Sequence, residues 1–261
     1  MLDALKRLIS RHHADTAWSQ LAQWAHGRKL AFKRVREKEG FVINGDLEGS
    51  PWRLEWGPPQ RQYIEGHELR FRMEVGLPHD LQMLILSHGL FETLERTTFD
   101  SFTETTQTVI DVNTPEEMRW LVMFPAASFT ASKTVRSRFN LVGGSPLEAA
   151  HWLEGELANR LEAATEGFLK DGPPFMLMVL RGRVYLRMQM AKPGVASVSQ
   201  AVEVFETAVL QAARTAGRFE HRNAAGGQGE PGWSESGDEP ATAWQTQPGR
   251  EDGPGRGPGS H

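Results

Sequence analysis

Glu68-Leu-Arg-Phe-Arg-Met-Glu-Val75 decides the architecture. Leu69, Phe71, Met73 and Val75 alternate with Glu68, Arg70, Arg72 and Glu74, and a strand turns successive side chains to opposite faces. The stretch therefore reads as a strand with one apolar face and one charged face, in a sheet buried on one side and wet on the other. Working outward, Trp52, Leu54 and Trp56 alternate with Arg53 and Glu55 in the same way, and Gly45, Gly49, Gly57-Pro58-Pro59, Gly66 and Gly76 mark the turns. Further strands are expected at Leu81–Leu86, at the Thr-rich run Thr103–Ile110 as an edge, and around Val135, Phe139 and Leu141. Phe175–Leu180, Arg181-Gly182-Arg183 and Val184–Met190 read as a β-hairpin.

Helices show themselves by their three-to-four spacing and their starts. Leu2, Leu5, Leu8 and Ile9, then Ala17, Trp18, Leu21, Ala22 and Ala25, predict a helical segment over about residues 1–27. Thr114-Pro115-Glu116-Glu117 is a capping box with Pro115 at the first helical position, leading into Met118, Trp120, Leu121 and Phe124. Ser145-Pro146-Leu147-Glu148 repeats that chemistry before Leu147, Ala150, Leu153, Leu157 and Leu161. A last helix over Val198–Ala216 carries Val202, Phe205, Val209 and Ala212, with Gly217 as its stop. Strands segregated from helices predict an α+β fold, a mainly antiparallel curved sheet covered by amphipathic helices. Residues 1–217 read as one domain, a split into two lobes near Asn113 being the alternative. Residues 218–261 contain no Leu, Ile, Val or Met and are rich in Gly and Pro, which predicts a disordered tail.

Composition narrows the function classes. The net charge of −4 over 261 residues argues against nucleic acid as a partner, since that binding relies on clustered cations. Met1–Gly40 is the basic exception. With no cysteine there is neither a disulfide nor a thiolate metal site, which suits a reducing cytoplasm. No apolar run approaches membrane-spanning length, and the charged start MLDALKRLISRHH lacks the apolar core of a secretory signal. Cytoplasmic residence is the expectation.

The stretches Leu54–Arg72, Thr114–Leu121 and Leu180–Arg187 together resemble hypothetical proteins of proteobacteria, over roughly residues 30–215. Their shared motifs are turns, alternation and a capping box. The resemblance implies no activity, cofactor or site residue.

Among candidate sites, Gly143-Gly144-Ser145 before a helix start offers backbone N–H groups to an anion, although it lacks a phosphate-loop lysine and Pro146 removes one donor. An ordinary capped turn is the competing account. Arg181 and Arg183, with Arg187 and Tyr185, offer a basic surface to an acidic partner or to phosphates, against which stand cross-strand pairs with Glu55, Glu68 and Glu74. His12, His13 and Asp15 are not expected to hold a metal, because neighbours on a helix point about 100° apart. Ser87-His88-Gly89 is not expected to act as a nucleophile pair, because strand neighbours point to opposite faces and no nucleophile elbow surrounds them. No carboxylate pair stands out among Asp46, Glu48, Asp100, Glu116 and Glu117.

These readings lead to a non-enzymatic intracellular interaction or accessory module, with no cofactor and an unknown protein partner. The alternatives are a small-molecule pocket lined by Trp52, Trp56, Phe71, Met176, Met178 and Met188, an enzyme using the Gly143–Ser145 loop, or membrane-surface contact through the amphipathic start.

Overall fold

The computed structural model describes residues 18–35, 39–104 and 115–226. Helix α1 (18–27) leads into strands β1 (Ala31–Arg34), β2 (Phe41–Leu47), β3 (Ser50–Gly57), β4 (Glu68–Glu74) and β5 (Met83–Ser87). Helices α2 (His88–Glu104), α3 (Glu116–Met123) and α4 (Lys133–Arg138) precede strand β6 (Phe139–Gly143). Helices α5 (Pro146–Leu153) and α6 (Glu156–Glu166), the hairpin β7 (Phe175–Leu180) and β8 (Arg183–Gln189), and helix α7 (Val195–Gly226) complete the chain. All eight strands form one antiparallel sheet in the order β1-β2-β3-β4-β8-β7-β5-β6. The fold is α+β, and strands from both sides of the boundary considered near Asn113 share that sheet.

The alternation in β4 faces Leu69, Phe71 and Met73 into the larger core, together with Trp52, Leu54 and Trp56 from β3 and Val184, Leu186 and Met188 from β8. Helices α1, α5, α6 and α7 close this face. The Phe71 ring stacks on Phe205 of α7 at 4.8 Å, and the Trp152 indole of α5 donates to the Ala208 carbonyl of α7 (2.9 Å). Each fully buried side chain of this size contributes roughly 1.5–3 kcal/mol.

The opposite face is not simply wet. Leu84, Leu86, Val142, Met176, Met178, Leu180 and Tyr185 form a second apolar cluster, roofed by Leu90 and Leu94 of α2 and Trp120 of α3. Strands β5 (MLILS) and β7 (FMLMVL) are continuous apolar runs, the pattern of strands buried on both sides. Over β3 and β4 the second face stays charged, as their alternation requires.

Several sequence expectations change. Residues 103 and 104 belong to α2, and the rest of the expected strand Thr103–Ile110 lies outside the described residues. Within this Thr-rich helix, Thr93, Thr97 and Thr98 return their hydroxyls to the carbonyls of Gly89, Thr93 and Leu94, which satisfies them inside the helix. Pro115 is the N-cap of α3 rather than its first residue, and Thr114 lies outside the described residues. Val135 belongs to the short helix α4, not to a strand. The helix expected from Ser145 onward breaks at Gly155 (φ 70°) into α5 and α6, which leaves Leu147 51% exposed and turns Glu148 inward. Gly217 does not stop α7: the helix continues to Gly226, with Phe219 packed on the core and Arg222 reaching Glu148 at 2.7 Å. That packing offsets the ~1 kcal/mol cost of a helical glycine. The tail beyond 226 and the amino-terminal segment 1–17 lie outside the described residues.

Candidate functional site

Charged side chains gather in two places. The first is the covered part of the charged sheet face, where the β3–β4 connection and α3 lie over β4 and β8. Fully buried Arg187 pairs with fully buried Glu68 diagonally across the β4–β8 ladder, where Arg70 is its direct partner in register, and its other arm reaches Gln60 (3.2 Å). The backbone N–H of Gln60 donates to Glu68 (2.7 Å). Glu117, buried in the first turn of α3, accepts from Arg61 (2.6 Å) and from the Tyr63 hydroxyl (2.6 Å). Arg70 continues the ladder to Glu55 (2.6 Å).

The electrostatics of this cluster follow from burial and pairing. Burial pushes the Glu117 carboxyl up, but the Arg61 charge and the hydrogen bonds from Arg61 and Tyr63 outweigh it and hold the group below the ordinary value of 4.5. Burial beside the Glu117 charge drives the Tyr63 phenol well above its ordinary value. Burial lowers the Arg187 guanidinium, with Glu68 opposing. Two arginines facing two glutamates make a balanced interior network, whose chemistry is to pin the β3–β4 connection and α3 to the sheet.

The second place is a groove between α4 and the α6–β7 connection, of about 430 Å³, lined by Lys133, Thr134, Ser137, Arg138, Thr165, Glu166 and Lys170. It runs into a cleft of about 210 Å³ where β5 gives way to α2, and Ser137 and Arg138 border both. Ser132 caps α4 through the Val135 amide (3.3 Å), which fixes the helix that carries the cations. Arg138 donates to the carbonyls of Leu169 and Lys170, bracing the far wall. Lys133, Arg136 and Lys170 make no ion pair among the described residues.

The residues singled out from sequence lie elsewhere. Gly143 closes β6, where an added Cβ would meet the Gln82 carbonyl at 2.9 Å and Ala149 at 3.0 Å, so close packing demands glycine. The Gly144 amide donates to the Gln82 carbonyl (3.0 Å), and Ser145 makes no side-chain cap bond. Arg181 and Gly182, both at positive φ, form the β7–β8 turn, with Arg181 lying 3.8 Å from Glu116. Arg183 pairs with Glu74 across the sheet (2.7 Å). The register carries Gly143 through Met83 to Val179, so the loop and the hairpin tip share one end of the sheet, while the groove and cleft occupy the other.

Ser87 and His88 both border the cleft, and no hydrogen bond joins their side chains among the described residues. The strand ends at Ser87 and the helix begins at His88, so strand geometry does not govern the pair. The six side chains proposed to line one internal pocket do not do so: Met176 and Met178 lie on the second face and the other four on the first. His12, His13 and Asp15 lie outside the described residues. Among the described residues no group of three or more His, Cys, Asp or Glu side chains is placed to hold a metal, and no helix is long and apolar enough to cross a membrane. The groove cations went unnoticed in the sequence although Lys133-Thr-Val-Arg136-Ser-Arg138 carries three of them in a single run.

No family model matches the chain, and no curated protein matches it. A solved structure similar to it is that of the mycobacterial trehalose monomycolate transport factor A, at 6% identity, covering 75% of this chain and 93% of that one with a TM-score of 0.42. A likeness of that degree carries no argument about function.

Proposed function

We propose that the protein is a non-enzymatic interaction module that holds an acidic segment of a partner protein in the groove between α4 and the α6–β7 connection. One observation carries this reading: Lys133, Arg136 and Lys170 line or flank a groove and make no ion pair among the described residues, although Glu166 shares its lining, so the cations outnumber the carboxylate there. Elsewhere the chain pairs Arg61, Arg70, Arg160, Arg183 and Arg187 with its own glutamates. Arg138 gives the groove a braced floor, so the cations stand on a fixed scaffold rather than on a loop. An opposite charge brought to these amines recovers the Coulomb energy the fold leaves unused, about 1 kcal/mol per contact in water.

The test is fluorescence anisotropy of a labelled oligoglutamate peptide with the full chain. Lys133→Glu/Lys170→Glu is expected to weaken binding about tenfold, or ~1.4 kcal/mol, and added salt to weaken the wild-type complex. Equal affinity of wild type and variant would overturn the reading.

A further inference from the structure

The last turns of α7 stand on a different footing from the rest of that helix. As far as Ala216 its inner face is buried, with Val202, Phe205, Val209, Ala212 and Ala216 in the larger core. From Gly217 to Arg222 only Phe219 is partly covered, and the other side of every turn is exposed. Gly217 sits where that change occurs. A Cβ built on it would meet nothing within 4 Å, and its φ is not positive, so neither packing nor backbone geometry demands a glycine. Its effect is to weaken the helix at that residue, by ~1 kcal/mol relative to alanine.

One ion pair holds the turns beyond. Arg222 comes within 2.7 Å of Glu148 in the first turn of α5, and His151 lies 3.8 Å from the other carboxylate oxygen. Glu148 is fully buried, yet neither of its oxygens is aligned for a hydrogen bond among the described residues. Glu117, buried to the same degree, accepts from both Arg61 and Tyr63. A charge withdrawn from water is well held only where hydrogen bonds complete the pairing. At Glu148 the Coulomb attraction acts without them, and Arg222 is itself 47% exposed, so its return to water is easy.

From the glycine that packing does not require, the loss of burial beyond it and the ion pair without hydrogen bonds, we infer that the end of α7 after Gly217 is a strap that leaves α5 as one unit, with Arg222 on Glu148 as its latch. Docked, the strap answers the Glu148 charge and rests Phe219 on the core. Released, it presents a carboxylate and the apolar footprint of Phe219 on the same stretch of surface. The device is independent of the groove beside α4, and its test needs no acidic peptide.

Amide hydrogen exchange of the isotope-labelled full chain, read residue by residue by NMR, tests the strap. The amides of residues 219–222 are expected to open together, with protection equal within about twofold and at least about a hundredfold below that of 202–212. Arg222→Ala and Glu148→Gln are each expected to lower the protection of 219–221 about tenfold and to leave 202–212 unchanged. Arg222 is the exposed partner, so its variant separates loss of the latch from any disturbance that Glu148→Gln brings to α5. Gly217→Ala is expected to raise the protection of 219–222 about fivefold. Protection that falls smoothly from residue to residue is ordinary fraying of a helix end and overturns the strap. So does protection of 219–222 equal to that of 202–212, or an Arg222→Ala chain that exchanges like wild type.

Discussion

The buried cluster around Arg187 and the groove beside α4 are both rich in arginine and lysine, yet they use charge in opposite ways. Under α3, Arg61 and Arg187 meet Glu117 and Glu68 inside the protein, and a phenol and an amide help to complete the shells. At the groove, Lys133, Arg136 and Lys170 are exposed and make no ion pair among the described residues, with Glu166 on the same lining. Charges withdrawn from water must be answered by the same chain, because an unpaired ion in the interior costs several kcal/mol. Cations left at the surface cost little and remain available to something else. The contrast separates charge that builds the fold from charge that the proposed function assigns to a partner.

The largest expected effect tests the first half of that contrast. Glu117→Ala leaves Arg61 without its carboxylate partner in a buried site and should lower unfolding stability by about 3–5 kcal/mol, read from the urea midpoint. A loss below ~1 kcal/mol would mean that water reaches the cluster. Acid should act on the same bond. A carboxyl held below its ordinary value when folded contributes stability above the unfolded value and loses it as pH falls through the folded one. Wild type should therefore lose stability below about pH 4.5, and Glu117→Gln should show a shallower acid slope. Parallel slopes would remove Glu117 from the account.

Smaller effects sharpen the second half. Arg183→Ala breaks an ion pair whose partners are both exposed and should cost no more than about 1 kcal/mol in the same denaturation assay. Lys133→Glu/Lys170→Glu should change thermal stability by no more than ~0.5 kcal/mol while weakening peptide binding. A large stability loss there would place the groove cations among the residues that hold the fold.

The sheet was legible where alternation was clean: Leu69, Phe71 and Met73 face the core as the β4 pattern required. The second core was not, because Met176, Met178 and Leu180 sit in an unbroken apolar run that carries no phase. Helix α2 was hidden by its threonines, which favour strands until their hydroxyls find carbonyls four residues back. Gly217 looked like a stop because nothing local reveals that Arg222 will meet Glu148. The Arg183 reading did foresee its cross-strand neighbour Glu74, since opposite charges on one sheet face find each other through register, whereas Arg181 in the hairpin turn lies near Glu116 of α3, which no strand pattern announces. The groove assembles from residues 133–138 and 165–170, and the cleft beside it adds 87–89; no local pattern announces a convergence of segments so far apart.

The position of β8 in the sheet has a consequence for assembly. It joins β4 on one side to β7 on the other, so Phe71 pairs with Leu186. Until that late segment arrives, the nascent chain holds two separate ribbons, each with an open edge able to recruit a stranger. Pairing across so long a stretch is slow to form, which predicts a chain most vulnerable to misassociation just before its final strand leaves the ribosome.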